Sequence, residues 1–533
     1  MIRVLKNNLP LIILTLIAVF ICLKNYIPGT ILSGWDTLHP EFNFGLALKR
    51  EISGVFRSYQ GLGAVAAHSD MADLPRIVLL AIFDLLLPLD FLRYSYIFLT
   101  LIIGPIGMYL FLYKHALKDK ASSFLGALFY LLNLGTMQQF VVPLEMFTTQ
   151  YATLPWLFLF ATEYLFQKTD DGRWMTDSRI IQIKQRRSNF LSSAVSVCRQ
   201  AGLPSVLRRL SSVVCHRIWN FRLSVPKRVR DDRKSLLLFT LATILSAPQA
   251  YAATLWYIYF IAFILYVGLL SLLKIHLGGV MPFDGLRAAT SEVVLRRSQT
   301  RLGRLTSRLR HTSEVNSKAL SLAKKGLTLI LLTLLLNSFW ILPNIYYVFM
   351  HGSQVPQANI NKLFSEQAFL YNKEFGNIKD IAMLKSFLFD WSVNGGNNHF
   401  TQLLNPWIQH LKQPFVEPLA YLFAFVSLCG IIYSIFKRNK ILIGLLPLLF
   451  LCLFFLFNDN PPTSHLYSFL KEEIPLFKEA FRFPADKVLG IFTFLFAIYF
   501  AVGQFAITRI VQVLLNRHSG DQSVECRTET PES

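Results

Sequence analysis

Ten apolar blocks, each close to the ~20 residues that cross a bilayer core, leave this chain few folds to choose from. They cover 8–24, 91–113, 121–141, 150–167, 235–248, 251–273, 326–348, 416–437, 440–457 and 486–513. No water is available inside lipid, so every backbone amide of such a block needs a partner within its own segment, and a helix supplies one. The expected fold class is all-α: a polytopic helical membrane protein of ten transmembrane helices. Composition agrees, with 53% apolar and 16% charged residues, where a soluble chain carries about 25% charged.

Charge sets the expected orientation. The segment 168–234 holds sixteen Lys and Arg against five acids, and 274–325 holds eleven against three, together nearly all of the net charge of +21. Short loops rich in Lys and Arg stay on the cytoplasmic side. The loops 25–75, 349–414 and 458–485 are close to neutral and are expected outside. The run 76–89 is short and is interrupted by Asp84 and Pro88. Counting it as a span would send the most basic segment outside, so it is expected to lie in or near the outer interface. The segment 41–57 repeats apolar residues at helical spacing (Phe42, Leu46, Ile52, Val55, Phe56) and is expected to be a second interfacial helix. Both termini fall inside, and 514–533, polar and mixed in charge, is expected to be disordered.

Several function classes drop out. The basic segments carry no recognised nucleic-acid-binding motif or aromatic interleaving, so their excess reads as topology and attraction to anionic lipid. There is no P-loop or nucleotide-binding glycine pattern. None of the six cysteines falls in an expected outer loop, so no disulfide framework is implied.

The outer loops hold the chemistry. Gly34-Trp35-Asp36-Thr37-Leu38-His39-Pro40-Glu41 follows the first span directly. Asp36 is either a turn or capping aspartate or a reactive carboxylate, with Trp35, His39 and Glu41 as substrate-binding candidates beside it. Glu145, at the outer end of the third span, either faces the same cavity or is a solvated turn residue. Asp70 and Asp73, with His68 nearby, are weak candidates for a divalent cation, since hard cations prefer carboxylate oxygens. Asp390-Trp391 and 394–398 offer stacking and hydrogen bonds to a sugar, or form a polar surface loop. Before the last span runs Phe481-Arg482-Phe483-Pro484-Ala485-Asp486-Lys487. Arg482 can grip a phosphate with two parallel hydrogen bonds and Lys487 adds a point charge; otherwise both anchor the helix end by snorkelling.

These features in this order resemble the GT-C superfamily of membrane glycosyltransferases: an anchor helix, a large first outer loop with Asp36 near its start, an interfacial helix, and a multi-span bundle. The run from Phe481 to Lys487 is similar to an Arg-x-Pro-x-x-Lys element of the arabinofuranosyltransferase-like and YfhO-like branches. The chain departs from those branches in lacking a large carbohydrate-binding region after the spans and in its long basic inner loops. The resemblance implies a polyprenyl-phosphate-linked sugar donor and a glycan or lipid acceptor of the cell envelope, met at the outer face of the plasma membrane. It also implies Asp36 as the base and Arg482 with Lys487 as the phosphate clamp. The alternative is a lipid or polysaccharide transporter. Transporters keep ionisable groups near the bilayer midplane, whereas these spans are nearly free of charge.

Overall fold

The computed structural model describes residues 2–35, 38–58, 64–65, 70–166, 227–277, 301–396 and 399–525. The helices are α1 (Ile2–Asn25), α2 (Phe44–Ile52), α3 (Leu74–Phe83), α4 (Leu89–Phe111), α5 (Lys120–Leu132), α6 (Leu134–Val141), α7 (Glu145–Phe166), α8 (Lys227–Leu245), α9 (Ala253–Leu277), α10 (Arg301–His351), α11 (Asn359–Glu374), α12 (Ile378–Ala382), α13 (Asn405–Leu411), α14 (Val416–Phe436), α15 (Lys440–Phe457), α16 (Ser464–Glu473), α17 (Pro475–Ala480) and α18 (Pro484–Glu525). Two short antiparallel ribbons interrupt them. In one, β1 (Phe56–Arg57) pairs with β2 (Ala64–Val65). In the other, β3 (Ser392–Asn394) pairs with β4 (Phe400–Gln402), with Val393 opposite Thr401.

The chain divides into two compact units, one of Met1–Leu159 with Phe239–Ser533, the other of Phe160–Leu238. Within the second, the described residues are the end of α7 and the first half of α8.

Among the described residues, seven helices are long and apolar enough to cross a membrane, or eight if the bent pair α5–α6 makes one crossing. This is an all-α membrane protein with fewer evident crossings than the ten apolar blocks. Two blocks fall short: 150–167, which is less apolar, and 235–248, whose helical part is too short. In α7 the reason is visible: Thr148, Thr149 and Gln150 are buried against protein, so this face has no need to be lipid-like. In α8 the apolar stretch begins only at Ser235 and ends where a 3-10 turn, Ala247–Tyr251, takes over.

The block 121–141 is likewise not one straight helix. It bends by 40° between α5 and α6. Asn133 sits at the break and serves both ends. Its amide donates to the Phe129 and Tyr130 carbonyls, each at 3.0 Å, and its side-chain oxygen accepts from the Thr136 N–H at 2.9 Å. One residue thus satisfies carbonyls orphaned at the end of α5 and caps α6. At the other end of the chain, α18 continues to Glu525, so most of the segment expected to be disordered from 514 is helical.

Helix α18 forms the core. Val488, Ile491, Phe494, Leu495, Ile498 and Ala501 are fully buried, and α5, α6, α9, α14 and α15 pack on it. A helix apolar on all sides belongs inside a protein. Against α14 the two backbones touch. A Cβ on Gly430 would fall 1.9 Å from the Tyr499 carbonyl oxygen, and one on Gly503 would fall 1.8 Å from that of Val426. Small residues at a helix crossing let membrane helices approach this closely.

The peripheral elements are turned outside in. Helix α2 and its flanks expose Phe42, Leu46, Ile52 and Val55, while Glu51 and Arg57 are buried. Helix α3 exposes Val78 and Ile82 and buries Arg76. At ten residues it is about 15 Å long, half of a bilayer core and too short to cross it. A soluble protein would place these residues the other way round. Charged groups inward and apolar groups outward are the arrangement lipid demands.

Candidate active site

The first loop and the starts of α3, α4 and α7 enclose a network of paired charges. Arg93, only 1% exposed, lies in the first turn of α4. Its Nη1 faces the His39 ring, 3.1 Å from Nε2 and 3.4 Å from Nδ1, and His39 Nδ1 lies 2.8 Å from Glu41 Oε1. Arg93 Nη2 pairs with Glu145 Oε1 at 2.9 Å and donates to the Pro143 carbonyl. Glu145 Oε1 also accepts from Arg76 Nη1 at 2.9 Å, and Arg76 Nε donates to Asp73 Oδ1 at 2.7 Å. Burial works against the charge of Arg76, but Asp73 and Glu145 outweigh it and raise its pKa. His39, Glu41 and Glu145 are thus brought together: His39 and Glu145 on the two arginines, and Glu41 through His39.

A second knot adjoins the first. Asp70 Oδ2 accepts from Arg57 and from Arg50 Nη2, the latter at 3.0 Å. Asp70 and Asp73, read from sequence as cation ligands, are therefore arginine partners. Among the described residues no group of three or more His, Cys, Asp or Glu side chains is arranged to hold a metal ion; His68 lies outside them. Glu51 is 2% exposed. Burial first, and Asp70 second, push its pKa up to about 7 against the pull of Arg50 and Arg57.

Asp36 lies outside the described residues, but its neighbour Trp35 does not. The Trp35 ring lies 5.4 Å from that of Trp391. Trp391 meets Phe387 edge-on at 5.9 Å, and Phe387 meets Phe483 at 4.7 Å. Four rings therefore link the residue before Asp36 to the residue after Arg482. The middle of this ladder is held by α6. Gln138 Nε2 donates to the Leu384 carbonyl at 2.6 Å, and Gln138 Oε1 accepts from the Ser386 N–H and hydroxyl at 2.9 and 2.7 Å.

Arg482 is part-exposed, with its Nε 3.9 Å from Glu479 Oε2. Lys487 begins α18 within electrostatic reach of Arg482. The two cations are thus grouped, with Glu479 turned toward the Ser365 hydroxyl at 2.9 Å.

Three cavities surround these features. One of about 270 Å³ is walled by Tyr371, Phe387, Trp391, Ser392 and Phe483. One of about 630 Å³ adjoins it through Asp390. A third, of about 510 Å³, is an apolar cleft walled by Ile97, Phe98, Leu101, Leu131 and Phe140, with Trp407 at its edge.

Sequence reasoning missed Arg76, Arg93 and Gln138. Arg93 carried a signal, an arginine inside an apolar run, which in a membrane helix marks a partnered or functional group. Gln138 carried none. Comparison with known protein families, with curated proteins and with solved structures gives no match.

Proposed function

We propose that the chain is a glycosyltransferase that moves a sugar from a polyprenyl-phosphate donor to a glycan or lipid acceptor of the cell envelope, at the outer face of the plasma membrane. The observation that carries this reading is the aromatic ladder Trp35–Trp391–Phe387–Phe483. It joins the two segments that the GT-C resemblance makes catalytic, and three of its rings, Trp391, Phe387 and Phe483, wall a sugar-sized cavity. The apolar cleft is of the kind a polyprenyl chain fills.

In this reading the acceptor hydroxyl attacks the anomeric carbon, Asp36 accepts its proton, and the bond to the donor phosphate breaks. Arg482 and Lys487 stabilise the departing phosphate. The buried arginine network holds the first loop in place. Ionisable groups stand at helix starts, Arg93 in α4, Glu145 in α7 and Lys487 in α18, which fits interfacial chemistry better than a transport path through the midplane.

The test is to incubate the purified protein with polyprenyl-phosphate-linked sugars and measure released polyprenyl phosphate. Wild type should release it, and Asp36→Asn should do so roughly 10²–10⁴-fold more slowly. Full activity in Asp36→Asn removes Asp36 as the base. No release from any donor removes the reading itself.

A further inference from the structure

Asp390 lines two cavities at once. The other carboxylate in the larger one, Glu417, is paired with Lys379 at 2.7 Å. Asp380, behind it, is paired with Lys385 at 2.9 Å. Among the described residues the Asp390 carboxylate has no ion pair and no side-chain hydrogen bond. Its backbone is nevertheless fixed, because its N–H donates to the Phe387 carbonyl at 3.0 Å and Gln138 anchors the start of that turn. A charged acceptor held rigidly at the junction of two cavities, without a partner of its own, is a binding group awaiting a ligand.

The walls of the larger cavity define the ligand's chemistry. Tyr421 offers an apolar face, and Gln402, Gln413 and Lys412 offer hydrogen bonds. A lipid chain has no use for so many polar groups. A polyphosphate needs excess positive charge, and two of the three lysines here are already neutralised. A saccharide, with apolar C–H faces and hydroxyls around its rim, fits both kinds of wall. The smaller cavity, lined by Phe483, the residue after Arg482, is left for the donor sugar.

We propose that the larger cavity is the acceptor site, that it takes a saccharide, and that Asp390 holds the acceptor by accepting hydrogen bonds from its hydroxyls where the two cavities meet. This rests on the glycosyltransferase reading for the identity of the second substrate, while the saccharide site stands on the cavity alone.

The experiment uses the full chain in lipid nanodiscs and soluble neutral tetrasaccharides of arabinose, mannose and galactose, titrated by calorimetry. Wild type should bind at least one. Asp390→Asn, which keeps the shape and loses the charge, should weaken that binding roughly 10- to 100-fold, the worth of a charge-assisted hydrogen bond. Where donor turnover is measurable, the variant should raise the acceptor KM far more than it lowers kcat. Gln402→Leu, on the strand paired beside Ser392, gives a second reading should Asp390→Asn melt early. Binding of none of the tetrasaccharides, or equal binding by both variants and wild type, overturns the proposal. Donor turnover without saccharide binding would overturn it and leave the transferase reading standing. Saccharide binding without donor turnover would do the reverse.

Discussion

Replacing Glu51 by Gln should change how stability depends on pH, and the sign follows from the direction of its pKa shift. Its carboxyl is 2% exposed and its pKa is raised from 4.5 to about 7, by burial and then by Asp70. Between those two values the folded protein keeps a proton that the unfolded chain has released. Stability therefore falls as pH rises through that window and levels off above it. At about 1.4 kcal/mol per pH unit, a shift of this size removes on the order of 3 kcal/mol. Glutamine resembles the protonated acid and does not titrate. In nanodiscs, thermal unfolding of wild type and Glu51→Gln should nearly coincide at the acid end of the window. By the alkaline end the variant should be the more stable of the two, by up to that amount. Parallel curves from pH 5 to 8, or a variant less stable than wild type at pH 8, would refute the argument that Glu51 is a carboxyl kept from charging by its surroundings.

Arg482→Lys should raise the donor KM and slow turnover, because lysine cannot reproduce a bidentate grip on phosphate; a variant with normal donor affinity and rate would leave Arg482 as an interfacial anchor, a role lysine fills equally well. Gly430→Ala should lower thermal stability by ~1–3 kcal/mol through overpacking, since its methyl would meet the Tyr499 carbonyl at 1.9 Å; an unchanged melting temperature would mean that α14 and α18 do not touch. Arg93→Met and Glu145→Leu should each cost about 3–5 kcal/mol by stranding a buried charge, while the double variant recovers much of the loss; strictly additive costs would mean that the two side chains are not partners.

The helices were legible wherever lipid dictates the residue. α1, α4, α9, α14, α15 and α18 can be read from apolar length alone, because bilayer thickness sets that length. α7 was recognisable only as a block, since its buried Thr148, Thr149 and Gln150 answer to protein neighbours that a hydropathy window cannot see. The break at Asn133 was written in the sequence, as a capping residue inside an apolar run, yet a single asparagine does not outweigh twenty residues of hydrophobic pattern. The ion pairs were not legible. His39, Arg93 and Glu145 lie about fifty residues apart in turn, and no local spacing announces that three loops converge. Asp390 and Trp391 could be marked as sugar-contacting types. Their meeting with Trp35 could not, because it depends on how Gln138 holds the turn at Ser386.

The neutrality of the first loop also has a structural cause. From sequence, near-zero charge over 25–75 placed that loop on the proposed outer side. In the structure its arginines meet specific carboxylates: Arg50 and Arg57 share Asp70, and Arg76, just beyond the loop, pairs with Asp73 and Glu145. Unpartnered arginines there would oppose the positive-inside rule and carry an uncompensated charge beside lipid. Paired and buried, they stiffen the loop instead, at positions where α2 and α3 turn their apolar faces outward. A loop meant only to join two helices has no reason to bury Arg57 together with Glu41, Glu51, Asp70 and Asp73. A loop that must present a reactive group beside a membrane surface does, since catalytic placement depends on supporting groups that are themselves held.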